Sequence, residues 1–230
     1  MTNEKDIREA LRKLYLEKYP DSFIRDEYTH VTLSTRNDLF LVDNSCIISF
    51  EIKSNGDNLK KLRAQHTDYQ TYSSEVVIAI DVKHFKKLCR DFLDLVENIN
   101  TTVYVYNNNI LEEYCIGQQK PFPNVFDLLW SSELLLFRQG IKRQSSKHFK
   151  SIYGKSHRDS KAIIKKLFTE LEIFDISKYL FTKRIKENWP TDYFGYKVSN
   201  DDDTIIQLIE EKQVPFDNWS NEIKALHERD

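Results

Sequence analysis

Three residues in the first quarter of the chain have the types and spacing of a metal-assisted hydrolytic site. Glu51 and Lys53 are separated by one residue in a β-rich run, and Asp38 lies in the β-rich run before it. Side chains alternate along a strand, so Glu51 and Lys53 are expected on one face, with Phe50 and Ile52 on the other. If the two runs pair as an antiparallel hairpin, the carboxylate of Asp38 comes close to that of Glu51.

The chemistry of these residues suits a phosphodiester. Two carboxylates at short range repel each other unless a cation lies between them, and ligation by oxygen alone suits Mg²⁺ or Mn²⁺. Such an ion polarises a phosphodiester and lowers the pKa of a bound water. Lys53 is then placed to orient that water or to neutralise the developing negative charge. The alternative is a surface ion pair between Glu51 and Lys53, for which Asp38 and Glu51 would lie far apart.

The surrounding pattern predicts an α/β protein. The runs 38–42 and 46–53 indicate a hairpin, and Asp57 is expected to cap the helix that carries Gln65. The remaining elements are predicted as helix 5–19, strand 28–34, a turn at 34–37, strand 75–80, helix 83–96, strand 102–106, a tight turn at 107–109 and strand 110–115. Further helices are predicted at 124–137, 160–171 and 176–188.

Residues 51–69, EIKSNGDNLKKLRAQHTDY, carry a family resemblance. They resemble the motif EIKSDxDxLxRLxxQxxxY of a little-characterised bacterial and phage group of nuclease-like proteins, the sce-type family. The order of elements is similar to that of the PD-(D/E)XK nuclease superfamily, to which this group belongs. Residues 128–142, LLWSSELLLFRQGIK, resemble a segment that follows the group's nuclease core. The resemblance covers about residues 5–190.

The resemblance implies a fold and a role for each matching residue. The fold would be a restriction-endonuclease-like core, with a mixed central sheet flanked by helices, followed by a helical C-terminal region. Asp38 and Glu51 would be metal ligands and Lys53 the catalytic lysine. Gln65 would support the site or contact the nucleic acid. Glu27 would match an acidic residue before the core strands, either a further metal ligand or an exposed loop acid.

A basic segment follows the predicted core. The net charge is −2, yet residues 138–166 hold ten Lys or Arg against the single acid Asp159. Cations interspersed with aromatic residues suit nucleic-acid binding, and a solvated basic loop is the alternative. The candidate nucleic-acid contacts are Arg143, Lys147, Lys150, Lys155 and Arg158. We therefore expect a nuclease-like core over residues 1–120 and a helical, partly basic region over 121–230.

Composition bounds the remaining expectations. No apolar run approaches the roughly 20 residues that cross a bilayer, and three cysteines without CxxC spacing indicate reduced thiols in a cytoplasmic protein. The sequence predicts a Mg²⁺- or Mn²⁺-dependent nuclease acting on nucleic acid, with DNA favoured over RNA. The competing hypothesis is a catalytically inactive module of the same fold that binds nucleic acid or a protein. The oligomeric state, homo-oligomer included, and the role of residues 191–230 stay open.

Overall fold

The computed structural model describes residues 3–29, 35–43, 46–120, 126, 129, 133–134 and 157–186. These residues fall into two compact units. The first holds every helix and strand up to residue 115, and the second holds the two later helices, α5 (His157–Leu167) and most of α6 (Glu170–Lys186).

A six-stranded mixed sheet forms the centre of the first unit. Its strands lie in chain order, and the first three and the last pair are antiparallel, whereas the third, fourth and fifth are parallel. The strands are β1 (Phe23–Thr29), β2 (Arg36–Val42), β3 (Ile47–Lys53), β4 (Glu75–Asp81), β5 (Thr101–Asn107) and β6 (Ile110–Cys115). The helices are α1 (Glu4–Lys18), α2 (Leu62–Gln70), α3 (Val82–Asp91) and α4 (Leu93–Val96).

Helices cover both faces of the sheet because the strand residues alternate. In β4, Val77 and Ala79 belong to one apolar cluster and Ile78 and Ile80 to the other. The first cluster contains Ile7, Leu11 and Tyr15 of α1, and the second contains Leu62 of α2 and Leu88 of α3. Parallel strands need crossover connections, which α2, α3 and α4 supply. The mixed α/β architecture expected from the sequence is therefore confirmed.

Local sequence signals explain several element ends. Asn3 and Asp6 form a reciprocal capping box at the start of α1. Asn108 and Asn109 adopt φ values of 49° and 63°, the left-handed conformation that a two-residue hairpin turn between β5 and β6 requires. Asp81 caps α3 by accepting a hydrogen bond from the Lys83 amide at 2.9 Å. The predicted tight turn at 107–109 is confirmed.

Four local predictions differ from the structure in their bounds or in the role of a residue. The strand β1 is Phe23–Thr29 and shares only Tyr28 and Thr29 with the predicted strand 28–34, whose residues 30–34 lie outside the described residues. Arg36 and Asn37 belong to β2 instead of the predicted turn. The predicted helix 83–96 ends and restarts at Phe92, giving α3 and α4. Asp57 does not cap α2, which starts at Leu62 without a side-chain cap.

The second unit is helical where the structure describes it. Ile163 and Ile164 of α5 and Ile176 and Leu180 of α6 are buried. The predicted helix 160–171 corresponds to α5, which starts three residues earlier and ends four residues earlier, and the predicted helix 176–188 corresponds to α6, which starts six residues earlier. Most of the predicted helix 124–137 and most of the basic segment lie outside the described residues. Within the described parts of the chain, no helix is long and apolar enough to cross a membrane.

Candidate active site

The β2–β3 hairpin places the predicted acidic residues beside each other. Leu39 pairs with Phe50 and Phe40 pairs with Ser49, so the next position along both strands brings Asp38 to Glu51. Phe50 and Ile52 pack in the α1 cluster, which directs Glu51 and Lys53 to the other face, as the alternation predicts. The antiparallel hairpin, deduced from two β-rich runs, is confirmed.

A cavity of about 550 Å³ opens where β3 ends, and the predicted residues line it. Asp38, Glu51, Lys53 and Gln65 are four of its lining residues. The others are Glu4, Thr35, Arg36, Ile52, Asp57, Lys61 and Ala64. Glu51 is only 2% exposed, which does not fit the surface ion pair considered as the alternative. Four residues from three elements, chosen from sequence alone, therefore meet in one cavity.

The buried carboxylate of Glu51 is held from two sides. Its Oε1 accepts a hydrogen bond from the ammonium group of Lys53, and its Oε2 lies 2.8 Å from the hydroxyl of Tyr69. Lys53 also donates to Oε1 of Gln65 at 3.3 Å. Burial raises the pKa of Glu51, and the hydrogen bonds and charge of Lys53 together with the Tyr69 hydroxyl oppose that rise. The carboxylate is thus fixed in place with polar partners.

The carboxylate of Asp38 has fewer hydrogen-bond partners than that of Glu51. Its Oδ2 accepts a hydrogen bond from the backbone N–H of Ile52 at 2.6 Å. Burial, followed by repulsion from the Glu51 charge, raises the pKa of Asp38 from 3.8 to about 7. The backbone carbonyl of Asp38 accepts a hydrogen bond from Arg8 of α1. Two interacting carboxylates with raised pKa values therefore lie in one cavity, an arrangement that favours binding of a cation.

Hydrogen bonds between Ser54 and Asp57 stabilise the turn that follows Lys53. Oδ2 of Asp57 accepts hydrogen bonds from the amide of Ser54 at 2.8 Å and from its hydroxyl at 2.6 Å. His84 of α3 contacts the carbonyl of Ser54 at 2.9 Å. Asp57 therefore stabilises the turn that follows β3, in place of the helix-capping role expected from the sequence.

The other predicted site residues lie elsewhere. Glu27 has a φ of 50°, forms an exposed ion pair with Arg36 at 3.2 Å and does not line the cavity. Arg158 is exposed in α5 of the second unit. Arg143, Lys147, Lys150 and Lys155 lie outside the described residues. His66 of α2 is buried, and its Nε2 lies 2.7 Å from the hydroxyl of Thr101.

Two residues of the site were missed by sequence reasoning. Tyr69 lies four positions after Gln65, and this spacing places both on one face of α2. The four-residue spacing from Gln65 could therefore have identified Tyr69 as a residue of the site. Glu4 lines the cavity from the first turn of α1, where it accepts a hydrogen bond from Arg8. Glu4 is 34 positions from Asp38, and no local pattern connects the two.

Comparison with known proteins gives a family and one distant structural likeness. The sequence matches the family described as Bacteriophage P4 protein cII over residues 2–129. No curated protein matches the chain. The SPO1766 protein of unknown function from Silicibacter pomeroyi is similar at 13% identity, with a TM-score of 0.39, over 54% of this chain and 78% of that one. The matched residues span more than half of the chain, and it belongs to the bacteriophage P4 protein cII family.

Proposed function

We propose that this protein is a metal-dependent nuclease that hydrolyses phosphodiester bonds, with DNA as the favoured substrate. The observation that carries the proposal is the convergence of Asp38, Glu51, Lys53 and Gln65 on one cavity. The carboxylates suit a divalent cation that assists phosphodiester hydrolysis, and the lysine suits the negative charge that develops during the reaction. The family description names no activity, so the PD-(D/E)XK resemblance stays part of this proposal.

The donor set fits Mg²⁺ or Mn²⁺. Asp38 and Glu51 supply two carboxylates, and repulsion between their charges is what a bound divalent cation would relieve. Among the described residues, no group of three or more His, Cys, Asp or Glu is placed to hold a metal ion. Mg²⁺ commonly uses one or two carboxylates and keeps water or substrate phosphate as its other ligands. When bound, the ion would polarise the phosphodiester and acidify a water.

Lys53 supplies positive charge at the end of β3. Its side chain is 11% exposed, and its ammonium group is directed by Glu51 and Gln65. In that position it can stabilise negative charge that develops on the phosphoryl oxygens during attack by water. A lysine in a partly desolvated cavity acts more strongly on such charge than one in bulk water, because the local dielectric constant is lower.

Gln65 and Tyr69 position the charged groups. Both come from one face of α2, Gln65 contacting Lys53 and Tyr69 contacting Glu51. The Tyr69 hydroxyl lies 2.6 Å from the carbonyl oxygen of Arg36 as well, which connects α2 to the start of β2. These contacts restrict the rotamers of Lys53 and Glu51, and such restriction is a large part of what an active site requires.

The test is cleavage of plasmid and single-stranded DNA with Mg²⁺ or Mn²⁺. We expect metal-dependent cleavage by the wild type and losses of at least about a hundredfold in Glu51→Gln and Lys53→Ala. Glu75→Gln is the matched control, because Glu75 is also a buried strand glutamate but does not line the cavity. Equal cleavage by wild type and Glu51→Gln would refute the proposed site. Binding of DNA without cleavage by any form would favour the inactive module.

A further inference from the structure

Five exposed lysines lie in the turn before α2 and on α3, two parts of the chain that sequence reasoning did not connect. Lys60 and Lys61 precede α2, and Lys83, Lys86 and Lys87 belong to α3. We refer to these five residues as the lysine surface. On α3, spacings of three and four residues place Lys86 and Lys87 on the same side as Lys83, whereas His84 and Leu88 are buried.

Contacts with the turn after β3 bring the lysine surface to the cavity. Lys61 itself lines the cavity. Lys83 donates hydrogen bonds to the carbonyl oxygen and, at 3.0 Å, to the side-chain oxygen of Asn55. His84 contacts the carbonyl of Ser54, which directly follows the proposed catalytic lysine. These hydrogen bonds hold the start of α3 against the turn that follows Lys53.

The positive charge of this surface is only partly offset by neighbouring acids: Arg90 first, and Lys87 to a smaller extent, lower the pKa of Asp91. None of the five lysines forms an ion pair with an acidic residue in the part of the chain that the structure describes. Asp57 is engaged by Ser54, and Asp81 caps α3. Two nearby arginines differ, because Arg63 pairs with Asp94 and Arg90 with Asp91. The surface thus keeps solvent-exposed ammonium groups, the form in which Lys binds phosphate as a point charge.

We propose that the lysine surface binds the sugar–phosphate backbone of a nucleic acid and leads it into the cavity. This inference rests on the proposed nuclease function, and it assigns substrate binding to the α/β core in addition to the basic segment at 138–166. Lysines that neutralise phosphates release condensed counterions, which gives sequence-independent binding. Binding of this kind suits an exposed row of lysines, since neither base readout nor a preformed pocket is needed.

A nucleic acid fits this surface better than an acidic protein does. Protein interfaces are anchored by buried aromatic and apolar residues and are depleted in Lys. The α3 side of the surface carries Lys83, Lys86 and Lys87 but only one exposed apolar residue, Val82, at 44% exposure. Continuity with a cavity that holds the proposed hydrolytic groups further favours a phosphodiester polymer as the ligand.

The experiment measures binding of short fluorescein-labelled DNA, single-stranded and duplex, by the full chain in EDTA over a series of NaCl concentrations. The test variant is Lys86→Ala with Lys87→Ala, because neither side chain lines the cavity. The matched control is Lys13→Ala with Lys18→Ala, which removes two exposed helical lysines from α1. Lys61→Ala is tested separately because Lys61 lines the cavity.

We expect the α3 variant to bind at least about fivefold more weakly and to lower the slope of log affinity against log salt by roughly 1.5, for two phosphate contacts. The α1 control should match the wild type. Equal weakening in both double variants, or none in either, would overturn the proposal. Cleavage in Mg²⁺ or Mn²⁺ separates the two claims. Wild-type cleavage with unaffected binding by the α3 variant refutes only the lysine surface, and salt-sensitive binding without cleavage refutes only the nuclease.

Discussion

Replacing Asp38 by Asn should stabilise the metal-free protein at neutral and alkaline pH. Burial and then the charge of Glu51 raise the pKa of Asp38 from 3.8 to about 7. The folded pKa lies above the unfolded value, so the folded state favours the protonated form. The contribution of that proton to stability is complete below about pH 4 and is lost as the pH rises to about 7. Asn at this position does not titrate and keeps an oxygen that can accept from the Ile52 amide.

The size of the effect follows from the difference between the two pKa values. The difference between about 7 and 3.8 corresponds to about 4 kcal/mol, at 1.36 kcal/mol per pKa unit. Asp38 is partly exposed, so solvent screening lowers the expected gain to about 1–2 kcal/mol. The gain is measured as a change in the free energy of unfolding in urea with EDTA, at about pH 5 and about pH 8.

Two further comparisons complete this test. Asp21→Asn is the control, because Asp21 is exposed and does not line the cavity. Mg²⁺ added at about pH 8 should stabilise the wild type by relieving the repulsion, and it should stabilise Asp38→Asn much less. A variant no more stable than wild type at about pH 8, with the same pH dependence, would refute the claim that burial and the charge of Glu51 raise the pKa of Asp38 in the folded protein.

Two other substitutions test the groups that hold the site in place. Tyr69→Phe removes the hydroxyl 2.8 Å from Glu51 but keeps the buried ring, so we expect metal-dependent cleavage to fall about tenfold without loss of fold. The loss also raises the pKa of Glu51, so the pH profile of cleavage should move to higher pH. An unchanged pH profile of cleavage would contradict the claim that the Tyr69 hydroxyl acts on Glu51. Asp57→Ala removes the acceptor for both Ser54 hydrogen bonds and should cost about 1–2 kcal/mol in urea unfolding, with Asp21→Ala as control. A neutral effect would contradict the role assigned to Asp57.

The sequence predicted the part of the site that local periodicity determines. The alternation of Phe50, Glu51, Ile52 and Lys53 was sufficient to assign the two faces of β3, because an apolar residue on one face must be buried. The break at Asn107–Asn109 was equally readable, since asparagine tolerates the left-handed backbone that a tight turn requires.

Contacts between distant segments could not be predicted in the same way. Glu4 reaches the cavity because α1 packs across the sheet, and no spacing in the sequence encodes that placement. Asp57 has the residue type of a helix cap, and only the structure shows that it accepts from Ser54 instead. The lysine surface depends on the contact between Lys83 and Asn55, which are 28 positions apart.

The central claim is that Asp38 and Glu51 together bind a divalent cation in the cavity beside Lys53. The most direct test is a crystal of the protein grown with Mn²⁺, with anomalous scattering used to locate the ion. We predict an anomalous peak in contact with both carboxylates that is lost in Glu51→Gln and retained in the control Glu75→Gln. A structure at saturating Mn²⁺ without a peak at Asp38 and Glu51 would contradict the account.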